Sequence, residues 1–436
     1  MLNIPFQSYE KTIMKKNHYV KMGKVTQVIG LIIQVEGLQS FIGEVCEIII
    51  KSSDKSVLSE VVGFKDDLIL LMPLDDLQGI GPGCLVRPTG KSLKIRISPN
   101  LLGCTLDGLG RPIDKSMDID GQLYDVDRTP PNPFERRKIE EVMSTGVKAV
   151  DGILTCGEGQ RIGIFAGSGV GKSTLLGMIA RYCDADVNVI ALIGERGREV
   201  LEFIEKDLGP DGYKKSVVVC ATSDQPPLVR LKGAFVATAI AEYFRDQGKK
   251  VMLMMDSVTR FAMAQREIGL ATGEPPTTKG YTPSVFAMLP KLLERSGMSS
   301  TGSITAFYTV LVEGDDMNEP IADSVRGILD GHIVLSRAIA AKNHFPAIDI
   351  QNSISRIMKE IVDEDHYKYA GQLKENLAVY GESEDLINVG AYIPGSNLKI
   401  DKAIELNGPI NDFLRQNVND KSSYEETVDM LKELME

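Results

Sequence analysis

The sequence predicts an α/β protein of three parts, and three observations support this. Short β-branched runs separated by glycine, aspartate and serine fill residues 23–88. Between residues 101 and 349, apolar strand-like runs alternate with helix-like stretches, a pattern typical of a parallel sheet wound with helices. After residue 356 the strand pattern stops and the chain is helical. A chain of 436 residues has room for about two or three domains.

The N-terminal part divides at residue 23. Residues 1–22 have no clear hydrophobic period and are predicted to be a tail or a short amphipathic helix, with four lysines against one glutamate. Residues 23–95 are predicted to form short antiparallel strands in a small barrel or sandwich. The runs that predict them are KVTQVIGLIIQV, GEVCEIII, VLSEVVGF and DLILLMPL, and the glycine- and proline-rich join GIGPG closes the domain.

Residues 96–356 are predicted to form the α/β domain. Its strand candidates are RIGIFA, VNVIALI, SVVVCAT, KVMLMMD and SITAFYTVL. Because these runs are apolar at nearly every position, we expect strands buried on both faces. The intervening stretches STLLGMIARYC and GAFVATAIAEYFRDQ predict helices. Residues 357–436 are predicted to form a C-terminal helical domain.

Composition and charge narrow the class of protein. No apolar run approaches the ~20 residues that span a bilayer, and the N-terminus lacks an apolar stretch of signal-peptide length, so we expect a cytosolic chain. The net charge of −11 disfavours a general nucleic-acid binder. Residues 357–436 hold 8 Lys and Arg against 17 Asp and Glu, a net charge of −9, which we interpret as a solvated face. The 6 cysteines lack CxxC spacing, which predicts reduced core thiols rather than a zinc site.

A glycine-rich loop follows the first strand of the α/β domain, in GIFAGSGVGKSTLL (residues 163–176). Between a strand and a helix, such glycines let backbone N–H groups surround phosphate oxygens, and the helix points its positive end at the same place. The strict pattern GxxxxGK[ST] is missed only at Ala166, where a methyl group is tolerated at an ordinary strand end. The predicted nucleotide-binding residues are Gly167, Ser168, Gly169, Val170, Gly171, Lys172, Ser173 and Thr174. A chance glycine-rich turn is the alternative, and the flanking strand and helix argue against it.

Two side chains of this loop and one strand end predict a metal-dependent phosphate site. Lys172 is expected to reach the outer phosphates, and the hydroxyl of Ser173 to bind Mg²⁺. The apolar run VMLMMD ends at Asp256, a carboxylate suited to support the water shell of the same metal.

A further strand, in ALIGERGREV, ends just before Glu195 and Arg196. The carboxyl edge of an open α/β sheet is where ligands bind. A carboxylate there could orient an attacking water, and an arginine could hold the γ-phosphate. The alternative is a surface ion-pair cluster with the neighbouring Arg198 and Glu199.

Arg356 ends the stretch FPAIDIQNSISR, where the α/β pattern stops. In a ring of subunits, such an arginine can reach a neighbour's nucleotide and stabilise transition-state charge, an effect of ~10³ to 10⁵ in rate. Composition alone indicates only an arginine at the start of a helix.

These four features, in this order, resemble the rotary ATP synthase catalytic-subunit superfamily, which includes the synthase α and β subunits, V-type subunits, the Rho helicase and the type III secretion ATPases. PAIDIQNSIS is similar to its signature decapeptide. The stretch DSVTRFAMAQREIGLATGEPPTTKGYTPSVFAMLPKLLERSG (256–297) resembles the export ATPases of type III systems nearly throughout, and residues 221–251 and 308–337 agree. FAGSGVGKS resembles flagellar members, since injectisome members more often have Ser-Ala in place of Gly167 and Ser168. The resemblance covers residues 23–415.

The resemblance implies a RecA-like P-loop core with an N-terminal β-barrel domain and a C-terminal helical domain. It implies a homohexamer that hydrolyses ATP, with Mg²⁺, at its subunit interfaces. In the catalytic roles it implies, Glu195 polarises the attacking water and Arg196 and Arg260 line the phosphate side. Arg356 is then the arginine finger given to the next subunit.

The resemblance also implies how adenine is held. Phe345, directly before the Pro-Ala of the signature, matches an aromatic side chain that stacks on the base; simple core packing is its alternative. The second wall is expected at Tyr424, with Val418 at the other position where the synthase pattern has an aromatic residue. With only one aromatic residue matched there, adenine selectivity is expected to be loose.

The resemblance places the protein at the cytoplasmic face of the inner-membrane export gate. Its implied partners are a regulator that binds the N-terminus, a central stalk protein, and export substrates with their chaperones. Three alternatives remain at this point besides an injectisome ATPase: a rotary synthase catalytic subunit, a non-catalytic nucleotide-binding ring subunit, and a Rho-like RNA translocase. Glu195 argues against the second, and the scarcity of basic and aromatic residues in 23–88 argues against the third.

Overall fold

The computed structural model describes residues 20–50, 55–114, 119–312, 314 and 316–436. The predicted N-terminal tail lies outside the described residues up to position 19. The described residues divide into two compact units, one made of those up to 93 with 268–274, the other of those in 94–267 and 275–436.

The first unit contains a closed antiparallel barrel in the order β1-β2-β5-β4-β3-β6, with β6 pairing back onto β1. Its strands are β1 Gly23–Ile29, β2 Ile32–Glu36, β3 Val45–Ile49, β4 Ser56–Lys65, β5 Leu68–Pro73 and β6 Leu85–Pro88. Since alternate side chains of a strand face opposite sides, one set fills the interior. These buried residues include Val25, Ile33, Val35, Ile48, Val61, Leu71 and Val86. The sequence left a barrel and a sandwich open, and the structure is a barrel.

The second unit is built on a large, mainly parallel sheet in the order β17-β16-β10-β15-β13-β11-β12-β8. Pairing is antiparallel between β16 and β17, and between β15 and the short β14. Its strands are β8 Cys104–Asp107, β10 Arg161–Ala166, β11 Val187–Ile193, β12 Ser216–Ala221, β13 Lys250–Asp256, β14 Gly297–Met298, β15 Ser303–Leu311, β16 Gly331–Leu335 and β17 Ile348–Ser355. A separate pair joins β7 Lys94–Ile97 and β9 Gln122–Asp125. The five predicted strand candidates are β10, β11, β12, β13 and β15, and their side chains are almost entirely buried, as expected for a sheet covered on both faces.

Helices follow most strands of the sheet. In the α/β part they are α1 Lys148–Ile153, α2 Lys172–Tyr182, α3 Gly197–Glu202, α4 Gly209–Lys214, α5 Pro227–Asp246, α6 Val258–Thr272, α7 Pro283–Leu293, α8 Pro320–Ile328 and α9 Arg337–Ala341. Single turns of other helix types lie at Pro99–Leu101, Pro133–Glu135, Phe203–Leu208 and Thr278–Gly280. The C-terminal helices are α10 Met358–Ile361, α11 Glu364–Asn388, α12 Leu398–Leu414 and α13 Tyr424–Met435.

The C-terminal helices and the sheet share one hydrophobic cluster. Leu373 of α11, Phe413 of α12 and Leu431 of α13 are buried in the same cluster as Ile153 of α1 and Met178 of α2. The helical part is therefore packed onto the side of the sheet that carries the glycine-rich loop's helix. Among the described residues, no helix combines the length and apolar character needed to cross a membrane.

Candidate active site

Four neighbouring strands end at one edge of the sheet. β10, β15, β13 and β11 are adjacent and parallel, so the segments that follow them emerge side by side, where ligands bind in open α/β sheets. The glycine-rich loop follows β10, Glu195 follows β11, and Asp256 ends β13. The fold thus brings together residues that lie far apart in the sequence.

The glycine-rich loop has the backbone that the sequence requires of it. Ala166 is the last residue of β10, the ordinary strand end at which a methyl group is tolerated. Gly169 and Gly171 have φ of 81° and 88°, in the left-handed region that favours glycine. Gly167 lies against the guanidinium of Arg337: a Cβ there would lie 2.6 Å from one of its nitrogens, so a larger residue would have to displace the end of that side chain.

The remaining loop residues differ in what they expose. Val170 is buried in the hydrophobic cluster of the domain, whereas Ser168 is exposed. Lys172, Ser173 and Thr174 form the first turn of α2. The N–H groups of this turn have no partner within the helix, which makes it suited to an anion.

Lys172 joins the two carboxylates of the site. Its Nζ forms an ion pair with Asp256 and lies 3.6 Å from Oε1 of Glu195. Thr309 of β15 donates a hydrogen bond of 2.7 Å to Oδ1 of Asp256 and fixes its orientation. The side chains of Lys172, Glu195 and Asp256 are 13%, 18% and 5% exposed, so these charges interact in a region with little water.

The environment shifts the ionisation of this cluster. Burial and the nearby Asp256 carboxylate raise the pKa of Glu195 to about 7, against a smaller lowering by Lys172. Burial alone would lower the pKa of Lys172, but its two carboxylate neighbours outweigh burial and raise it. Lys172 is therefore charged at neutral pH, whereas Glu195 is partly protonated and partly ionised at that pH. A carboxylate with such a pKa is suited to hold or orient a water molecule.

Of the two arginines expected on the phosphate side, Arg260 lies near the site. It belongs to the first turn of α6, and its side chain packs against Gly194, where a Cβ would lie 2.7 Å from its own Cβ. Among the described residues no acceptor lies within hydrogen-bond distance of its buried Nε. The side chain of Arg196 is 70% exposed and lies 3.4 Å from Glu199. This is the contact expected if Arg196 belongs to a surface ion-pair cluster.

Arg356 is not part of this cluster. It follows the antiparallel edge strand β17, whose end lies at the opposite edge of the sheet from the glycine-rich loop. Its guanidinium is exposed and donates to the main-chain oxygen of Arg326 at 3.3 Å. Within one chain the structure keeps Arg356 apart from Lys172.

A cavity of about 650 Å³ opens beside the glycine-rich loop, between α2 and the segment after α12. Phe345 lines it, is 42% exposed, and approaches Gly171. Val418 lines the cavity as well, and its carbonyl oxygen accepts hydrogen bonds from Arg181 and Tyr182 at the end of α2. The cavity thus offers a flat apolar surface next to the predicted phosphate site.

Tyr424 lies elsewhere. As the first residue of α13, it places its hydroxyl 3.1 Å from Nδ1 of His366, whose Nε2 lies 2.8 Å from the carbonyl oxygen of Gly152. The described residues that line the cavity do not include Tyr424. The structure therefore does not support Tyr424 as a wall for adenine, because the contacts of α13 hold it at the junction with α1.

Two residues of the site were not found from the sequence. Thr309 lies in the middle of an apolar strand run, and Arg337 begins α9 in a helix-like stretch. Only the pairing of β15 with β13, and the position of β16 beside β10, bring them to Asp256 and Gly167. No local pattern indicates either contact.

Comparison with known proteins agrees with the three parts. The model of the ATP synthase alpha/beta family, nucleotide-binding domain, matches residues 146–355, and that of the family's beta-barrel domain matches residues 25–90. The model of the T3SS EscN ATPase C-terminal domain matches residues 362–433. The predicted P-loop core with a β-barrel and a helical domain is thus confirmed.

The chain is similar over nearly its full length to curated relatives. It is 56% identical over 430 residues to the flagellum-specific ATP synthase of Bacillus subtilis, covering 98% of each chain. It is 55% identical over 414 residues to the type 3 secretion system ATPase of Xanthomonas euvesicatoria, covering 94% of this chain and 93% of that one. Among solved structures, the assembled ATPase EscN of the enteropathogenic E. coli type III secretion system matches with a TM-score of 0.90 at 48% identity, over 95% of this chain and 100% of that chain.

The fold and the cluster of Lys172, Glu195 and Asp256 define a P-loop ATPase. The chain belongs to the ATP synthase alpha/beta family, and within it to the flagellar and type III secretion export ATPases. The resemblance seen in the sequence is therefore confirmed.

Proposed function

We propose that this ATPase works as a homohexamer of the flagellar export apparatus, in which each subunit completes its neighbour's active site. The observation that carries the proposal is that Arg356 is separated from Lys172 within one chain. Arg356 is also exposed, directly after the edge strand β17. An arginine that cannot reach the active site of its own subunit can reach the active site of the neighbouring subunit in a ring.

The residues at the sheet edge fit ATP together with Mg²⁺. Magnesium prefers oxygen ligands and is usually held by one or two protein groups together with phosphate oxygens and water. The hydroxyl of Ser173 and the carboxylate of Asp256 supply such a set beside the loop that would hold the phosphates. When bound, Mg²⁺ would neutralise charge on the β- and γ-phosphates.

The chain's own residues then divide the work. Lys172 and the N–H groups of residues 167–174 bind the phosphates, and Glu195 orients the attacking water. Arg260, whose Nε has no hydrogen-bond partner in the part of the chain that the structure describes, lines the phosphate side. Phe345 stacks on the adenine ring, with Val418 in place of Tyr424 on the other wall. Arg196 is the second phosphate-side arginine, and to reach a phosphate its side chain has to leave Glu199.

Partners and location are part of the same proposal. One relative of known structure, EscN, was solved in complex with its central stalk EscO, with a TM-score of 0.87 to this chain. We propose a corresponding stalk for this protein, a regulator bound to the N-terminus, and substrates with chaperones at the helical domain. The ring would stand in the cytoplasm at the inner-membrane export gate, without a role in nucleic-acid binding.

Two variants test the shared active site. Glu195→Gln removes the water-orienting group, and Arg356→Ala removes the finger, so each alone should lose ATPase activity while binding a fluorescent ATP analogue normally. Mixed in equal amounts, they should regain activity, because an Arg356→Ala site can receive an intact finger from a Glu195→Gln neighbour. If the mixture stays inactive although mixed rings form, the shared site is wrong.

A further inference from the structure

The arginine finger is held at its base by residues at the far end of the strand that leads to the glycine-rich loop. The main-chain N–H of Arg356 donates to the carbonyl oxygen of Asp330 at 3.1 Å. Its guanidinium donates to the carbonyl oxygen of Arg326, in the last turn of α8. Both acceptors belong to the segment that enters β16, so the position of this segment sets where the finger begins.

Gln160 ties that segment to the residue before the finger. It is fully buried, and its Nε2 donates both to the carbonyl oxygen of Asp330 and to Oγ of Ser355, each at 3.1 Å. Ser355 in turn donates to the carbonyl oxygen of Thr155 at 2.8 Å. Strands β16 and β17 approach each other closely at this point, since a Cβ on Gly331 would lie 2.7 Å from the carbonyl oxygen of Ile354.

Arg161 fixes the same segment through a two-pronged ion pair. Its Nε and one terminal nitrogen donate to the two carboxylate oxygens of Asp330 at 2.9 and 3.0 Å, and its main-chain N–H donates to Oδ2 at 3.1 Å. The N–H of Asp330 donates back to the carbonyl oxygen of Arg161 at 2.9 Å. The side chains of Arg161 and Asp330 are 14% and 26% exposed, so the pair is well shielded. Bidentate geometry adds direction as well as strength.

We propose that Gln160, Arg161 and Asp330, the finger seat, are positioning residues for Arg356. Their hydrogen bonds lie at the amino end of β10, away from the glycine-rich loop at its carboxyl end, and they hold the strand end that presents Arg356 to the neighbouring subunit. This inference rests on the proposed function, because it needs a finger that acts across an interface. Strand β10 therefore contributes to two active sites. Its carboxyl end leads to the glycine-rich loop of its own subunit, and its amino end positions the arginine finger that enters the neighbouring subunit.

The inference predicts a specific kinetic defect. In Asp330→Asn and Arg161→Lys the finger is displaced, and a displacement of about 1 Å can lower a rate by about a hundredfold. We expect kcat to fall by ~10- to 100-fold, while KM and the affinity for a fluorescent ATP analogue stay within about twofold. Arg161→Lys keeps the charge but loses the fork geometry, so it is the milder variant. Asp211→Asn, at the exposed pair with Lys214, is the matched control and should leave kcat unchanged.

Mixed rings separate a finger defect from a defect in the subunit's own site. If the finger seat positions Arg356, Asp330→Asn and Arg161→Lys should regain activity when mixed with Glu195→Gln, to as much as about one quarter of native in an equal mixture of head-to-tail subunits. They should not regain it with Arg356→Ala, which has the same defect. Rescue by Arg356→Ala instead of by Glu195→Gln would mean that Asp330 acts on its own glycine-rich loop, and would overturn the inference.

The reference mixture distinguishes this inference from the proposal on which it rests. Glu195→Gln mixed with Arg356→Ala must regain activity for the shared site to stand. If that mixture is active and neither seat variant is rescued by Glu195→Gln, the finger seat alone is wrong. If the reference mixture is inactive, the proposal of an active site shared between subunits is itself contradicted.

Discussion

Glu195 is held between two opposing influences. Lys172 favours its charged form, whereas burial and the carboxylate of Asp256 favour its protonated form and together prevail, bringing its pKa to about 7. A carboxylate can accept a hydrogen bond from an attacking water only when it is ionised. The ionisation of one side chain should therefore control turnover at neutral pH.

We expect kcat/KM, which reports ionisations of the free enzyme, to rise as pH increases through about 7. The sign follows from a raised acid pKa, since the protonated, inactive form persists up to that pH. The measurement is kcat/KM across the neutral range for the native chain and for the residual activity of Glu195→Gln. The ionisation of ATP itself acts on both chains, so it cancels in the comparison. A native profile with the same shape as that of Glu195→Gln would contradict this role.

At the scale of elements, one buried ion pair joins three parts of the α/β domain. Arg295, which follows α7, is fully buried and donates to both carboxylate oxygens of Glu242 on α5, each at 2.8 Å. It also donates to the carbonyl oxygen of Val126, just after β9, at 2.8 Å. Without Arg295, the buried carboxylate of Glu242 loses two hydrogen bonds and keeps the partly exposed Arg128 at 3.6 Å, so its charge is poorly compensated in a dry environment.

Arg295→Met should therefore lower the free energy of unfolding by ~3–5 kcal/mol, and adding Glu242→Leu should recover most of the loss. Urea denaturation followed by circular dichroism measures both. Lys399→Met breaks the exposed pair with Glu375 and should cost at most ~1 kcal/mol. Equal losses for Arg295→Met and Lys399→Met would show that the buried pair has no special role.

The elements show what the sequence could predict. β10, β11, β12, β13 and β15 were predicted because a strand buried on both faces is apolar at nearly every position. The glycine-rich loop, Glu195 and Asp256 were found because each lies at or just after the end of such a strand. β16 and β17 have mixed burial and were not proposed as strands. Arg295 stands in LLERSG beside another charged residue, so nothing local shows that it is buried.

Long-range contacts account for the rest. The path of the segment after α12 back to α2 places Val418 at the cavity and Tyr424 against His366. The contact between Asp330 and Arg161 joins positions 169 residues apart. Such pairings are set by the order of the strands, and no periodicity within one segment encodes them.

At the scale of the whole molecule, the proposed function makes turnover depend on assembly. One chain holds the glycine-rich loop, Asp256 and Glu195 at one edge of the sheet, where the parallel strands end, and Arg356 at the other. A single subunit should therefore bind ATP but hydrolyse it slowly. Turnover should require contact with a second copy that presents its finger.

The most direct test is the specific ATPase activity of the native chain over a dilution series from micromolar to nanomolar, with light scattering to measure its oligomeric state. The account predicts that specific activity falls as rings dissociate, and that Arg356→Ala is inactive at every concentration while it still binds nucleotide. Constant specific activity in samples that scatter as monomers would contradict the account, because a lone subunit would then contain a complete active site.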